Sequence, residues 1–207
     1  MSASAYGSDD AEPLVAALAG ATKSRDHKGG RVTTDRRSDA ALVRLAKKGS
    51  SEACGALFER HWPVAYRAAY LVVHDAAAAE DIAQEAFLAA LAALHRFDRR
   101  RPFAPWLHRI AVNRAIDHAR SAAQRHELAS DREAEAAALE HPGDDGALVA
   151  AIAELPLEQR AVVVLRYLLE WTPGEIAAAL GLPRGTVNSR LRRALDRLGA
   201  ELGEELR

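Results

Sequence analysis

The 207 residues are enough for one or two domains, and 46 alanines against only 11 aromatics favour closely packed helices. A single cysteine excludes an internal disulfide framework or a Cys-rich zinc site, and no apolar run approaches a membrane span. The formal net charge of −1 points by itself to no polyanionic partner, so the first expectation is a soluble, cytoplasmic, all-α protein without a cofactor.

Residues 1–37 mix Gly, Ser, Asp, Lys and Arg without periodicity and are expected to form a disordered tail. Leu14 to Ala21 has the outline of a signal h-region, but Asp9, Asp10 and Glu12 precede it where basic residues are needed, so export is not expected. Ser38 is a good N-cap for a first helix carrying Leu42 and Leu45. Ser50 or Ser51 can cap a second, running to about Val73, with Leu57, Phe58, Tyr66, Tyr70 and Leu71 as core candidates and Pro63 as a kink. Asp75 opens a third helix through Leu94, whose Ile82, Ala83, Ala86, Phe87, Ala90 and Leu94 share one face. An Arg-rich loop, Arg96 to Pro102, leads into a fourth helix from about Ala104 to Arg125. These four define a helical domain over 38–125.

Residues 126–146 are acidic and Ala-rich and read as a flexible linker. A second domain, 147–203, begins with a short helix from Ala147 to Leu155. Pro156 suits the first position of the next, which continues through Leu169. Thr172-Pro173 opens a third helix that stops at Gly181, and Pro183 begins a last one reaching about Leu202.

The total charge conceals segregation. From His95 to Arg125 eight Arg face two acids, and from Arg184 to Leu198 five Arg face one Asp. Between them, Glu127 to Asp145 holds seven acids and one Arg, while Asp75 to Glu85 holds four acids and no base. Two basic blocks separated by an acidic connector fit two nucleic-acid contacts on one chain.

Thr172 to Leu198 has the layout of a helix-turn-helix. Its first helix buries Ile176 and Leu180, Gly181 makes the turn and Leu182 plugs the angle. Its second helix buries Val187, Leu191, Ala194, Leu195 and Leu198. The opposite face carries Gly185, Thr186, Ser189, Arg192 and Arg193, with Arg190 and Arg197 on its flanks. Short polar groups near a helix start, with Arg able to reach guanine edges or phosphates, suit a major-groove reader.

LPLEQRAVVVLRYLLEWTPGEIAAALGLPRGTVNSRLRRALDRL (155–198) resembles the −35-binding domain of extracytoplasmic-function (group IV) RNA polymerase sigma factors. AEDIAQEAFLAALAALHRFDRRRPFAPWLHRIAVNRAIDHAR (79–120) is similar to their core-binding and −10-binding region, with Asp81, Gln84 and Glu85 followed by Phe97, Phe103, Trp106-Leu107 and Ala111-x-Asn113. The two blocks, in this order, extend the resemblance over roughly 42–198. The resemblance implies a non-enzymatic sigma factor with region 2 at 38–125 and region 4 at 147–203. Its expected partners are core RNA polymerase, promoter DNA and an anti-sigma factor.

On the third helix Asp81, Gln84, Glu85 and Leu88 project away from the core face. An exposed Leu beside carboxylates suits a protein contact, and the resemblance implies that this patch grips the polymerase clamp. On the fourth, Arg109, Asn113 and Arg120 form one stripe. With Arg99, Arg100, Arg101 and Phe103 of the preceding loop they suit single-stranded DNA; the resemblance implies capture of a flipped −10 base. The −35 contacts implied are Arg184, Thr186, Ser189, Arg190, Arg192 and Arg193. Trp106, Leu107 and Ile110 are expected in the core, and Phe97 as a staple of the loop. Cys54 reads as a small buried hydrophobe.

The eight histidines show no His-x-x-x-His spacing and there is no Gly-x-x-x-x-Gly-Lys loop, so neither a metal site nor a nucleotide-cleaving site is expected. The alternatives are a free-standing helix-turn-helix regulator, which would bind an operator as a dimer without polymerase, and a helical adaptor.

Overall fold

A computed structural model describes residues 37–128 and 146–205, the last three of each stretch as backbone alone. The expected tail up to residue 36 and the expected linker from 129 to 145 lie outside the described residues. Everything regular among the described residues is helical.

Helix α1 (Asp39–Ala46) starts where the Ser38 Oγ accepts the Ala41 N–H at 3.3 Å. Helix α2 (Ser51–Val73) starts likewise at Ser50, whose Oγ accepts the Ala53 N–H at 3.2 Å. Both caps satisfy backbone donors that have no intrahelical partner. Pro63 sits within α2 without ending it. That helix stops at His74, whose left-handed φ of 56° lets its N–H close on the Tyr70 carbonyl at 2.7 Å. Asp75 then caps helix α3 (Ala76–Ala93) through the Ala78 N–H at 2.9 Å. A 3₁₀ turn (Leu94–Arg96) and the Arg-rich loop lead to helix α4 (Phe103–Leu128). Its backbone continues three residues into the stretch expected to be linker.

The second domain comprises α5 (Gly146–Glu154), α6 (Leu157–Val163), α7 (Pro173–Leu180) and α8 (Arg184–Glu205). Pro156 is the N-cap of α6 rather than its first helical residue, and α6 passes into a π-helical turn, Val164–Leu168, that closes the expected longer helix.

Two apolar cores result. One lies inside the first domain and joins Leu42 and Val43 of α1 to Leu57 of α2, Phe87 of α3 and Phe103 and Leu107 of α4. Ala65, Ala83, Ala86, Ala90 and Ala111 are fully buried in it; their small side chains let the helices approach closely. The other core is shared. It runs from Leu71 and Val72 of α2 and Val112 and Ile116 of α4 into Ile152, Val162, Leu165, Ile176 and Val187 of the second domain. Truncating any fully buried Leu here to Ala should cost roughly 2–5 kcal/mol. The two domains therefore dock, and a polar tie reinforces the seam: the Arg160 guanidinium donates to the Val72 carbonyl at 2.7 Å and to the Ala153 and Leu155 carbonyls at 2.6 and 2.9 Å. Burial pushes this guanidinium down from its usual pKa, with Glu154 opposing.

Candidate nucleic-acid interface

The helix-turn-helix forms as its local chemistry requires. The Thr172 Oγ1 accepts the Glu175 N–H at 3.3 Å, and the Glu175 carboxylate accepts the Thr172 N–H at 2.8 Å, a reciprocal capping box. The Thr172 hydroxyl, donating to the same carboxylate at 2.7 Å, holds the Glu175 carboxyl below its ordinary pKa. Gly181 takes a left-handed φ of 64°, a conformation that a Cβ would strain, and the Leu182 N–H reaches back to the Ala177 carbonyl at 3.0 Å.

Val187, Leu191, Ala194 and Leu198 of α8 are buried, which turns Arg184, Ser189, Arg192 and Arg193 to solvent, with Thr186 half-buried. The Ser189 hydroxyl donates to the Thr186 carbonyl at 2.9 Å, and Arg193 Nε lies 3.2 Å from the Ser189 carbonyl. Arg192 lies 3.9 Å from Asp196, an exposed pair of little energetic weight. Arg190 departs from the expectation. Its side chain is turned back onto Glu158 at 2.5 Å, so it faces the domain seam rather than the open face.

The α4 stripe is only partly open. Arg109 is exposed, but Asn113 and Arg120 line a cleft of about 280 Å³ closed on the other side by Leu157, Glu158, Leu180 and Arg190. Arg120 Nη2 lies 3.9 Å from Glu158 Oε1. One carboxylate thus sits between an arginine assigned to the −10 contact and one assigned to the −35 contact.

In the loop before α4, the Asp98 carboxylate accepts the Arg100 N–H at 3.0 Å and its carbonyl accepts the Arg101 N–H at 3.0 Å. This Asx turn projects Arg99, Arg100 and Arg101 into solvent. Phe103 corrects the expectation. It is 2 % exposed, edge-on to Phe97 at 5.9 Å and Trp106 at 5.8 Å and tilted against His61 at 5.5 Å. The ring belongs to the core and offers no face to a base, because leaving it would uncover apolar surface. Leu107 is fully buried and Trp106 and Ile110 half-buried, as their core assignment expected. Cys54 is only half-buried, packed at the edge of the same core.

On α3, Asp81, Gln84 and Glu85 are exposed and Leu88 is 60 % exposed. One partner of this patch escaped the sequence reading. Arg114 of α4 donates to the Glu85 carboxylate at 2.6 Å. Phe58, expected in the core, is 37 % exposed and stacks on Trp62 at 4.7 Å, with Phe87 at 4.9 Å. The four-residue spacing of Phe58, Trp62, Tyr66, Tyr70 and His74, whose rings contact in sequence along α2, was the available signal.

At the start of α1 lies a partly buried polar cluster. Asp39 accepts from Arg60 at 2.6 Å and lies 2.8 Å from His61 Nε2. His108 stands edge-on to His61 at 6.2 Å, with its own Nε2 buried and unpartnered among the described residues. Burial lowers the His61 pKa against the pull of Asp39, and burial together with the neighbouring His61 pushes His108 down to about 4. Among the described residues no group of three His, Cys, Asp or Glu is placed to hold a metal. No described helix is long and apolar enough to cross a membrane.

The chain matches two protein families, Sigma-70 region 2 over residues 57–125 and Sigma-70 region 4 over residues 145–198. It is 35 % identical over 172 residues to the ECF RNA polymerase sigma factor SigL of Mycobacterium tuberculosis, covering 79 % of this chain and 97 % of that one. With ECF RNA polymerase sigma factor SigW of Bacillus subtilis the identity is 31 % over 180 residues, covering 77 % and 94 %. Among solved structures, CnrH in complex with the cytosolic domain of CnrY is 32 % identical, with a TM-score of 0.59 over 80 % of this chain and 97 % of that chain. RpoE of Bartonella quintana, solved with the anti-sigma factor NepR, shares the fold at 23 % identity and a TM-score of 0.63, covering 70 % and 94 %. With both regions present in order and relatives matched along almost their full length, the chain belongs to the extracytoplasmic-function RNA polymerase sigma factors.

Proposed function

We propose that this sigma factor uses three separate surfaces during promoter-specific initiation. Asp81, Gln84, Glu85 and Leu88 dock core RNA polymerase, the exposed Leu88 supplying an apolar centre and the acids a rim. Arg184, Thr186, Ser189, Arg192 and Arg193 read the −35 duplex in the major groove, and Arg190 joins them once it leaves Glu158. Arg99, Arg100, Arg101, Arg109, Asn113 and Arg120 hold the opened −10 strand, Phe103 supporting the loop from beneath. The protein works by binding energy and carries no catalytic step of its own; it acts in the cytoplasm, where core polymerase is.

The observation that carries this reading is the solvent-facing row Ser189, Arg192 and Arg193 on a helix fixed by a capped turn, on the same chain as the exposed acidic patch around Leu88. An anti-sigma factor is the expected regulator: the Bartonella factor was solved with the anti-sigma factor NepR, and CnrH with the cytosolic domain of CnrY. The test is transcription in vitro from a promoter pool. Product that requires both core polymerase and this chain is expected. Tight duplex binding with no effect on core polymerase would instead assign it to free-standing regulators.

A further inference from the structure

Helix α1 lies before the stretch that matches Sigma-70 region 2, which begins at residue 57, yet it is fixed against the Arg-rich loop by side chains. Lys47, just past its C-terminus, reaches across 50 residues of sequence to the Phe97 carbonyl at 2.7 Å and the His95 carbonyl at 3.4 Å. At its other end Asp39 is tied to Arg60 and His61, and the Arg37 carbonyl accepts from Arg60 at 2.9 Å. Between helix and loop opens a cleft of about 560 Å³, walled by Ser38, Ala41 and Arg44 on one side and Asp98, Arg99 and Arg100 on the other.

Its charge is cationic in effect. Arg44, Arg99 and Arg100 are exposed, and none of them makes an ion pair among the described residues. Asp98 is occupied in closing the turn of its own loop. Three guanidinium groups around one small opening suit a phosphodiester, since guanidinium forks match phosphate oxygens. A cleft of this size is of the order of small-ligand sites.

We propose that α1 is part of the −10-binding unit: the cleft between α1 and the Asp98–Arg101 loop takes a backbone phosphate of the single-stranded −10 segment. Arg44 contacts that phosphate, and Lys47 is a positioning residue that sets the loop's height above α1. This rests on the assignment of the Arg-rich loop to the −10 strand. Arg44 adds affinity without base preference, because phosphate contacts position and base contacts specify. Lys47 acts on base preference instead, through the loop.

The test uses holoenzyme reconstituted from the full chain and core polymerase. Its probe is a fork-junction DNA with a duplex −35 segment and a single-stranded −10 tail, both sequences selected from a random pool by the wild-type holoenzyme. Arg44→Ala should weaken binding about three- to tenfold near 0.1 M KCl and lower the slope of log affinity against log salt by about 0.7, one single-strand phosphate. Arg44→Lys should keep the slope, and the selected sequence should not change in either variant. Lys47→Met should leave the salt slope and −35 duplex binding intact while flattening base preference in the tail, and Lys47→Arg should restore it. Arg100→Ala separates the two levels of the argument. If it weakens tail binding while Arg44→Ala keeps wild-type affinity and slope, the role of α1 is overturned and the loop assignment stands. If Arg100→Ala is also silent, the loop assignment fails and the inference with it.

Discussion

The two arginine stripes proposed to meet DNA look alike along the chain but occupy different situations in the fold. On α8, Ser189, Arg192 and Arg193 stand in solvent with only weak or local partners. On α4, Asn113 and Arg120 border the cleft between the domains, where Glu158 accepts Arg190 at 2.5 Å and lies 3.9 Å from Arg120. The difference teaches that the domain seam, rather than stripe composition, sets which of these side chains stand open to solvent. On the proposed assignment the −35 face is open as it stands, whereas Asn113 and Arg120 at the far end of the −10 stripe border the seam.

The largest expected effect comes from breaking the seam itself. Arg160→Ala removes the donor to three carbonyls, one across the seam, and should cost roughly 3 kcal/mol as a shift of the urea midpoint. It should also expose Asn113, read as faster hydrogen exchange on the facing turns of α4 and α6.

Acid should act on the −10 side alone. His61 and His108 are buried neutral, with folded pKa values below that of the unfolded chain. Between about pH 6.5 and about 4 only the unfolded chain takes up the His108 proton. Stability is thus fully present above that window and lost as the pH falls through it, on the order of 3 kcal/mol for His108. A pH series of melting curves followed at Trp62 and Trp106 should show this, and His108→Leu should flatten it. A similar loss followed at Trp171 would mean that the domains unfold as one unit.

Thr172→Ala is the matching probe of the −35 side. Losing one half of the capping box should cost about 1 kcal/mol, read as a lower melting temperature at Trp171, with the pH dependence at Trp62 and Trp106 unchanged.

The subtlest test removes only the shared charge. Glu158→Gln should raise the affinity of the free chain for −35 duplex about two- to fivefold by releasing Arg190, an effect that shrinks with salt. In the same assay Arg193→Ala should weaken binding, while Asn113→Ala should be silent in the free chain and matter only in holoenzyme. Equal sensitivity of the free chain to both would erase the contrast between the stripes.

Much of this is legible in the sequence, for reasons that particular residues make clear. Ser38, Asp75 and Thr172 cap their helices through bonds spanning three residues, and Gly181 supplies its turn by its own backbone freedom. The exposure of Asp81, Gln84, Glu85 and Leu88 followed from the buried Ile82, Ala83, Ala86, Phe87 and Ala90 on the same helix. Phe103 was misjudged because it was read with the loop, whereas as the first residue of α4 it continues the buried spacing of Leu107 and Ala111; its ring neighbours Phe97 and His61 come from other elements. Arg114 and Lys47 escaped notice because their partners lie 29 and 50 residues away.

By itself, then, the sequence determined the helices, their caps, the helix-turn-helix and the segregation of charge. Each of these rests on interactions within one or two turns, where spacing along the chain is also spacing in space. Only the tertiary structure decided which charges remain available. Arg190 meets Glu158 from 32 residues away, Arg160 reaches Val72 from 88, and Lys47 braces the loop at Phe97. Such pairings depend on how packed helices bring distant side chains within a few ångströms, and no local pattern records that.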